Sequence, residues 1–165
     1  IATLYRYYRT KSELVVAVGT HVWSNFIRDY MPIRNEDNTT ASEELEFFLD
    51  SFLELYKNHK KLLCFNQFFN IYIRNEAISK RALNSYNEMV DQLAMRFHKT
   101  YVKGKNDKTL CTEVSENSMF LSIMHLMLAA ITRYAVGLAY EKDIESDNEL
   151  VLLKNMLMHE FSRKK

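Results

Sequence analysis

Glycine and proline are nearly missing from this sequence, with three of the first and one of the second in 165 residues. Hairpins and tight turns draw on those two residues. Their shortage excludes a hairpin-rich β architecture and points to long helices with few connections. Cysteine is scarce as well: Cys64 and Cys111 stand far apart, form no Cys-x-x-Cys pair, and read as two reduced, buried thiols of a cytosolic protein. No secretory signal pattern is present. The sequence opens on Ile1, inside a stretch that already reads as structured, so further residues are expected ahead of it. Charge of one sign is lacking too. With 22 basic and 21 acidic side chains the formal net charge is +1, so any contact with nucleic acid must come from a local patch.

What is there is globular. Hydrophobic residues make up 47% and charged residues 26%, in a chain long enough for a real core. Thr10-Lys11-Ser12-Glu13 has the form of a capping box, followed by Leu14, Val15, Val18, Val22, Phe26 and Tyr30 at helical spacing until Pro32. After the loop NEDNTT, Thr40 and Glu43 repeat the box ahead of Leu45, Leu49, Phe52 and Tyr56. KLLCFNQFFNIYI predicts a short, largely buried helix near residues 60–73. From about Glu76, the stripe Leu83, Tyr86, Val90, Leu93, Phe97 and Tyr101 predicts a long helix, with Gly104 as its terminator before the loop KGKNDKTLCT. Residues 119–140 are the most apolar stretch and are long enough for a membrane span. His125 and Arg133 within it, and the lack of an asymmetric basic flank, favour a helix buried on nearly all sides in a soluble assembly. Ser146 to Glu149 is a third capping box, opening a last helix with Leu150, Val151, Leu153, Leu157, Met158 and Phe161. The fold class is all-α, with no repeat, no low-complexity tract and no strand.

The chemistry concentrates at the start, in ATLYRYYRTKSEL. At about 100° per residue, a helix over residues 1–8 puts Thr3, Arg6 and Tyr7 on one face. Ile1, Leu4 and Tyr8 fall on the other, ready to pack on the helix that begins near Lys11. Arg6, Arg9 and Lys11 are positive and no acid precedes Glu13. Cations and hydroxyls in this array suit phosphates, and Thr and Arg read base edges. An ordinary amphipathic helix with a solvated basic face has the same spacing.

ATLYRYYRTKSELVVAV resembles the recognition helix and following helix of the tetracycline-repressor (TetR) family of bacterial transcriptional regulators. That family's pattern is a small residue, Thr, an apolar residue and Tyr, then a variable residue and two aromatics. It continues through a turn with Lys into an acidic-then-Leu helix start. Here these are Ala2, Thr3, Leu4, Tyr5, Arg6, Tyr7, Tyr8, Lys11, Glu13 and Leu14. The resemblance implies that Ala2 sits in the DNA-contacting stretch, that Thr3 and Arg6 face base edges or nearby backbone, and that Tyr5 and Tyr7 reach phosphates. Lys11 would lie near the backbone, and Leu4, Tyr8 and Leu14 in the core. The Tyr5 role rests on the resemblance alone, since the wheel turns it inward. Two helices that precede the recognition helix in the family are not in this sequence, so residues 1–31 read as part of a head that binds DNA poorly by itself, and residues 40–165 as a regulatory and dimerisation domain.

The resemblance also implies a cytoplasmic homodimer on double-stranded operator DNA, responsive to a small-molecule effector. The apolar excess of residues 119–140 asks for a partner on its own account. The expected interface is Leu121, Leu128, Ala129, Ala130 and Gly137, with Leu150, Leu157 and Phe161 from the last helix. An effector pocket is expected among Phe65, Phe68, Phe69, Tyr72 and Tyr86, with Met89, Met124, His125 and Met127. Any one of these also reads as plain core. No HExxH, GxSxG, phosphate-cradling Gly loop or Glu-x-x-His pairing occurs, so neither catalysis nor a metal or other cofactor is expected. The competing reading is an all-helical dimeric adaptor whose basic aromatic end binds a protein or a membrane surface.

Overall fold

Hydroxyl side chains set where most of the helices begin. In the computed structural model, which describes residues 6–31, 38–76, 78–137 and 146–163, six helices follow one another. They are α1 (Lys11–Tyr30), α2 (Ala41–Asn58), α3 (Lys60–Asn75), α4 (Lys80–Asp107), α5 (Glu116–Val136) and α6 (Ser146–Phe161). Thr10 accepts from the Glu13 amide ahead of α1, and Thr40 with Glu43 forms the full reciprocal box ahead of α2. Ser79 and Ser115 cap α4 and α5 in the same way. Ser146 differs from expectation: it is the first residue of α6, and its hydroxyl meets that of Tyr56 at 2.8 Å.

The centre of the molecule is α2, which packs against α3, α4, α5 and α6, while α1 lies across α4 and α3. Leu45, Leu49, Phe52 and Leu55 recur at helical spacing and are fully enclosed. Met119, Ile123, Met127 and Ile131 answer them from one face of α5. The α2 N-terminus is held by the far end of α4: Asp107 accepts from the Ala41 amide at 2.7 Å and from the Thr109 amide at 2.9 Å. Desolvation pushes the Asp107 carboxyl up, but these amides, the Thr109 hydroxyl and the Lys103 ammonium outweigh it, so it titrates below the ordinary carboxylate range. Beyond the helices, Leu110 and Ser162 form an isolated antiparallel bridge that ties the α4–α5 connection to the chain after α6.

Other expectations change or narrow. Gly104 does not end its helix, which runs to Asp107 and closes on Lys108 with a φ of 61°. Gly104 is instead buried, and a Cβ there would come within 2.6 Å of the Leu110 side chain. The aromatic helix α3 buries only Leu63, Asn66 and Phe69, and leaves Phe68 and Ile71 in solvent. The apolar helix α5 is long and apolar enough to cross a membrane, and 28% of its most apolar window is buried within this chain, so enclosure on nearly all sides would need the assembly expected for it. The thiols of Cys64 and Cys111 are free and half-buried rather than buried. Pro32, and Ile1 to Tyr5 with the start of the expected first helix, lie outside the described residues; Arg6 and Tyr7 are helical.

Candidate functional site

The basic N-terminal end is presented by α1. Arg6, Tyr7, Arg9 and Lys11 are exposed, Tyr7 to 76%, while Tyr8 and Leu14 are half-buried, so neither is full core. Ala2, Thr3 and Tyr5 lie outside the described residues. The turn into α1 is pinned by Glu13, which accepts from the Arg9 amide at 2.8 Å.

From this end, α1 is fastened to the body at successive points. Ser12 shares a hydrogen bond with the Tyr72 hydroxyl at 3.0 Å, and the Lys11 ammonium lies over the Tyr72 ring. One turn beyond Val16, Gly19 lets the Phe69 ring come so close that a Cβ would sit 2.6 Å from it. Trp23 then donates its indole N–H to Asn66 Oδ1 at 3.1 Å, in a buried bond. At the C-terminal end the Arg96 guanidinium donates to the carbonyls of Ile27 and Met31 at 3.0 and 2.6 Å, adding to the Met31 amide that already reaches Ile27 and placing a cation at the negative end of the helix. Any motion of α1 must therefore pass through α3 and α4.

The nine residues expected around one pocket are dispersed. Phe65, Phe69 and Tyr86 form a continuous ring cluster under α1, with centroids 5.5 and 5.1 Å apart, and burial there pushes the Tyr86 phenol up. Met89 and Met127 are core, Tyr72 serves the start of α1, and Phe68 projects into solvent. Met124 and His125 meet apart from these, in a groove of about 430 Å³ between α3 and α5. Its α3 side is polar, with Asn66, Gln67 and Asn70; its α5 side carries Leu128, Ala129, Thr132, Arg133 and Val136. Sequence reasoning missed Asn66, Thr132 and Arg133 here, because a polar residue on an apolar helix says nothing of which neighbour it faces.

The expected interface also divides. Leu150, Leu157 and Phe161 are buried in the core of their own chain and cannot meet a partner. The reason is that α6 is apolar on two sides, and only tertiary packing decides which faces inward. Leu121, Ala129 and Gly137 are exposed, Leu128 and Ala130 half-buried. The large apolar residues left outward on this pair of packed helices are Leu121, Leu126 and Val136 on α5 and Val151, Leu152 and Met156 on α6. Among the described residues no three His, Cys, Asp or Glu side chains cluster in a way that holds a metal. No family model, curated protein or solved structure matches this chain.

Proposed function

We propose that this chain belongs to a ligand-responsive DNA-binding regulator of the TetR type, a transcriptional repressor acting as a homodimer. What carries the reading is the pairing of an exposed basic-aromatic end, Arg6, Tyr7, Arg9 and Lys11, with a helix that locks that end to an all-helical body. A reader of DNA needs cations and hydroxyls displayed on a rigid element, and a regulated reader needs that element coupled to something that binds elsewhere.

In this mechanism Thr3 and Arg6 read base edges, while Tyr5, Tyr7 and Lys11 hold the backbone. Two copies, joined through the outward apolar rows of α5 and α6, address the two halves of a palindrome. An effector that prefers one setting of α1 against α3 changes the separation of the two heads and releases the operator.

The test is binding of labelled DNA from around the encoding gene, by the protein as encoded in full, beside a Thr3→Ala, Arg6→Ala double variant. Loss of two base-edge contacts predicts an affinity for the operator lower by about 100-fold or more, with affinity for random DNA much less affected. Equal loss on operator and random DNA contradicts the assigned base readout. No preference for any DNA turns the weight to the adaptor reading.

A further inference from the structure

The groove between α3 and α5 has the features of a built site. Thr132 is only 8% exposed, yet its hydroxyl finds no hydrogen-bond partner among the described residues. A buried hydroxyl left in that state costs free energy that a bound acceptor would recover. Asn66, at 3% exposure, has its Oδ1 engaged by Trp23, which leaves its amide nitrogen for the groove side. Gln67 and Asn70 add amide donors, and Arg133 adds a guanidinium that forms no ion pair with a described residue.

The lining fixes the ligand's charge and shape. Among the described residues no Asp or Glu lines the groove, so a cationic ligand finds no counterion among them. One guanidinium matches a single negative charge, and a di- or triphosphate would be left under-neutralised. Met124, Leu128, Ala129 and Val136 offer an apolar bed beside the donors. The volume, about 430 Å³, falls in the range of roughly 300–1,000 Å³ usual for small-molecule sites.

We infer that this groove binds a small monocarboxylate with a short apolar body, its carboxylate at Arg133 and Thr132, and that occupancy is passed to α1 through the Asn66–Trp23 hydrogen bond. The binding site stands on the groove's own geometry; its role as the effector site rests on the regulator reading. Trp23 is the single tryptophan in the sequence, so its emission reports on that link without labelling.

The experiment is a calorimetric and fluorescence titration of this chain with octanoate, beside octanamide and octylamine as the neutral and cationic forms of the same body. Octanoate is expected to bind saturably and to shift the Trp23 emission. The neutral and cationic forms should bind more weakly by about tenfold or more, the cost of losing a charge-assisted bond. Arg133→Gln should lose the preference for the carboxylate with an unchanged unfolding midpoint. Thr132→Val should also weaken octanoate, and should hold or raise the midpoint because it removes an unpartnered hydroxyl from a buried place. Absence of saturable binding, equal binding of octanoate and octanamide, or undiminished binding by Arg133→Gln would each overturn the site. Saturable, carboxylate-selective binding with no change at Trp23 would overturn the link to α1. No DNA enters this experiment, so its failure leaves the DNA reading standing, and a failure of DNA binding leaves the groove standing.

Discussion

Replacing Leu152 and Met156 together by glutamate is expected to convert a dimer into a monomer without unfolding either chain. Both side chains stand out from α6, at 60% and 61% exposure, on the side away from Leu150, Leu157 and Phe161, which fix that helix to its own core. The fold of the single chain therefore loses no packing. In a two-fold interface the patch meets its own copy, so two carboxylates from each chain would be desolvated against one another. Burying an unpaired charge costs several kcal/mol, and even about 3 kcal/mol lowers the dimer affinity roughly 100-fold. Sedimentation at micromolar concentration checks this: the dimer mass for the unsubstituted protein, the monomer mass for the variant, with the same helical circular dichroism. A variant that keeps the dimer mass would place the interface on another face, and an unsubstituted protein that sediments as a monomer would overturn the dimer.

Gly19→Val has the second large effect. The Phe69 ring occupies the volume that any side chain at position 19 would need, and at 1% exposure that ring has nowhere to turn without disturbing Phe65 and Tyr86. Valine in place of glycine should gain helix propensity worth a few tenths of a kcal/mol. Overpacking costs about 1–3 kcal/mol, more than that gain, and for a chain of this size each kcal/mol moves the unfolding midpoint by about 2–4 °C. The net expectation is a midpoint lower by about 5 °C, with α1 displaced from α3 and the Trp23–Asn66 bond weakened. The cause is checked by repeating the substitution in a Phe69→Leu background. There the ring is gone, and the cost of valine should fall by about 1 kcal/mol or more. An undiminished cost in that background would mean that the Gly19–Phe69 approach is not what makes glycine necessary.

Much of the helical framework could be read from the sequence because its signals are local. The Thr10 and Thr40 caps, the apolar periodicity of α2 and α4, and the near-absence of glycine and proline all act within a few residues. Gly104 misled for a physical reason: a glycine near a helix end has two uses, and here the close approach of Leu110, not the helix stop, requires it. Helix α4 starts at Lys80, behind the Ser79 cap, rather than near Glu76, because the apolar stripe marks a face and the cap marks the end. On α6, Leu150 and Leu152 are equally apolar in sequence, and only the position of α2 and α5 makes one core and the other surface. The candidate groove was nearly illegible for the same reason. Its defining contacts, Trp23 to Asn66 and the isolation of Thr132 against α3, join residues far apart in sequence, and nothing local marks them. Likewise nothing in the local sequence around Arg96 announces that it closes the end of α1.

The most direct measurement is the dependence of DNA affinity on salt for the protein as encoded in full. Arg9 and Lys11 from two chains can neutralise about four phosphates, so log K should fall against log salt with a slope of about −4. Removing Arg9 and Lys11 by alanine in both chains should flatten most of that slope, because released counterions follow neutralised phosphates. Both side chains are exposed, and Lys11 gives up a cation–π contact with the Tyr72 ring worth about 0.5–1 kcal/mol at such a site, so the helical fold should persist. A slope near zero, or a slope that the substitutions leave unchanged, would contradict the account: the basic aromatic end would then not be the surface that meets DNA.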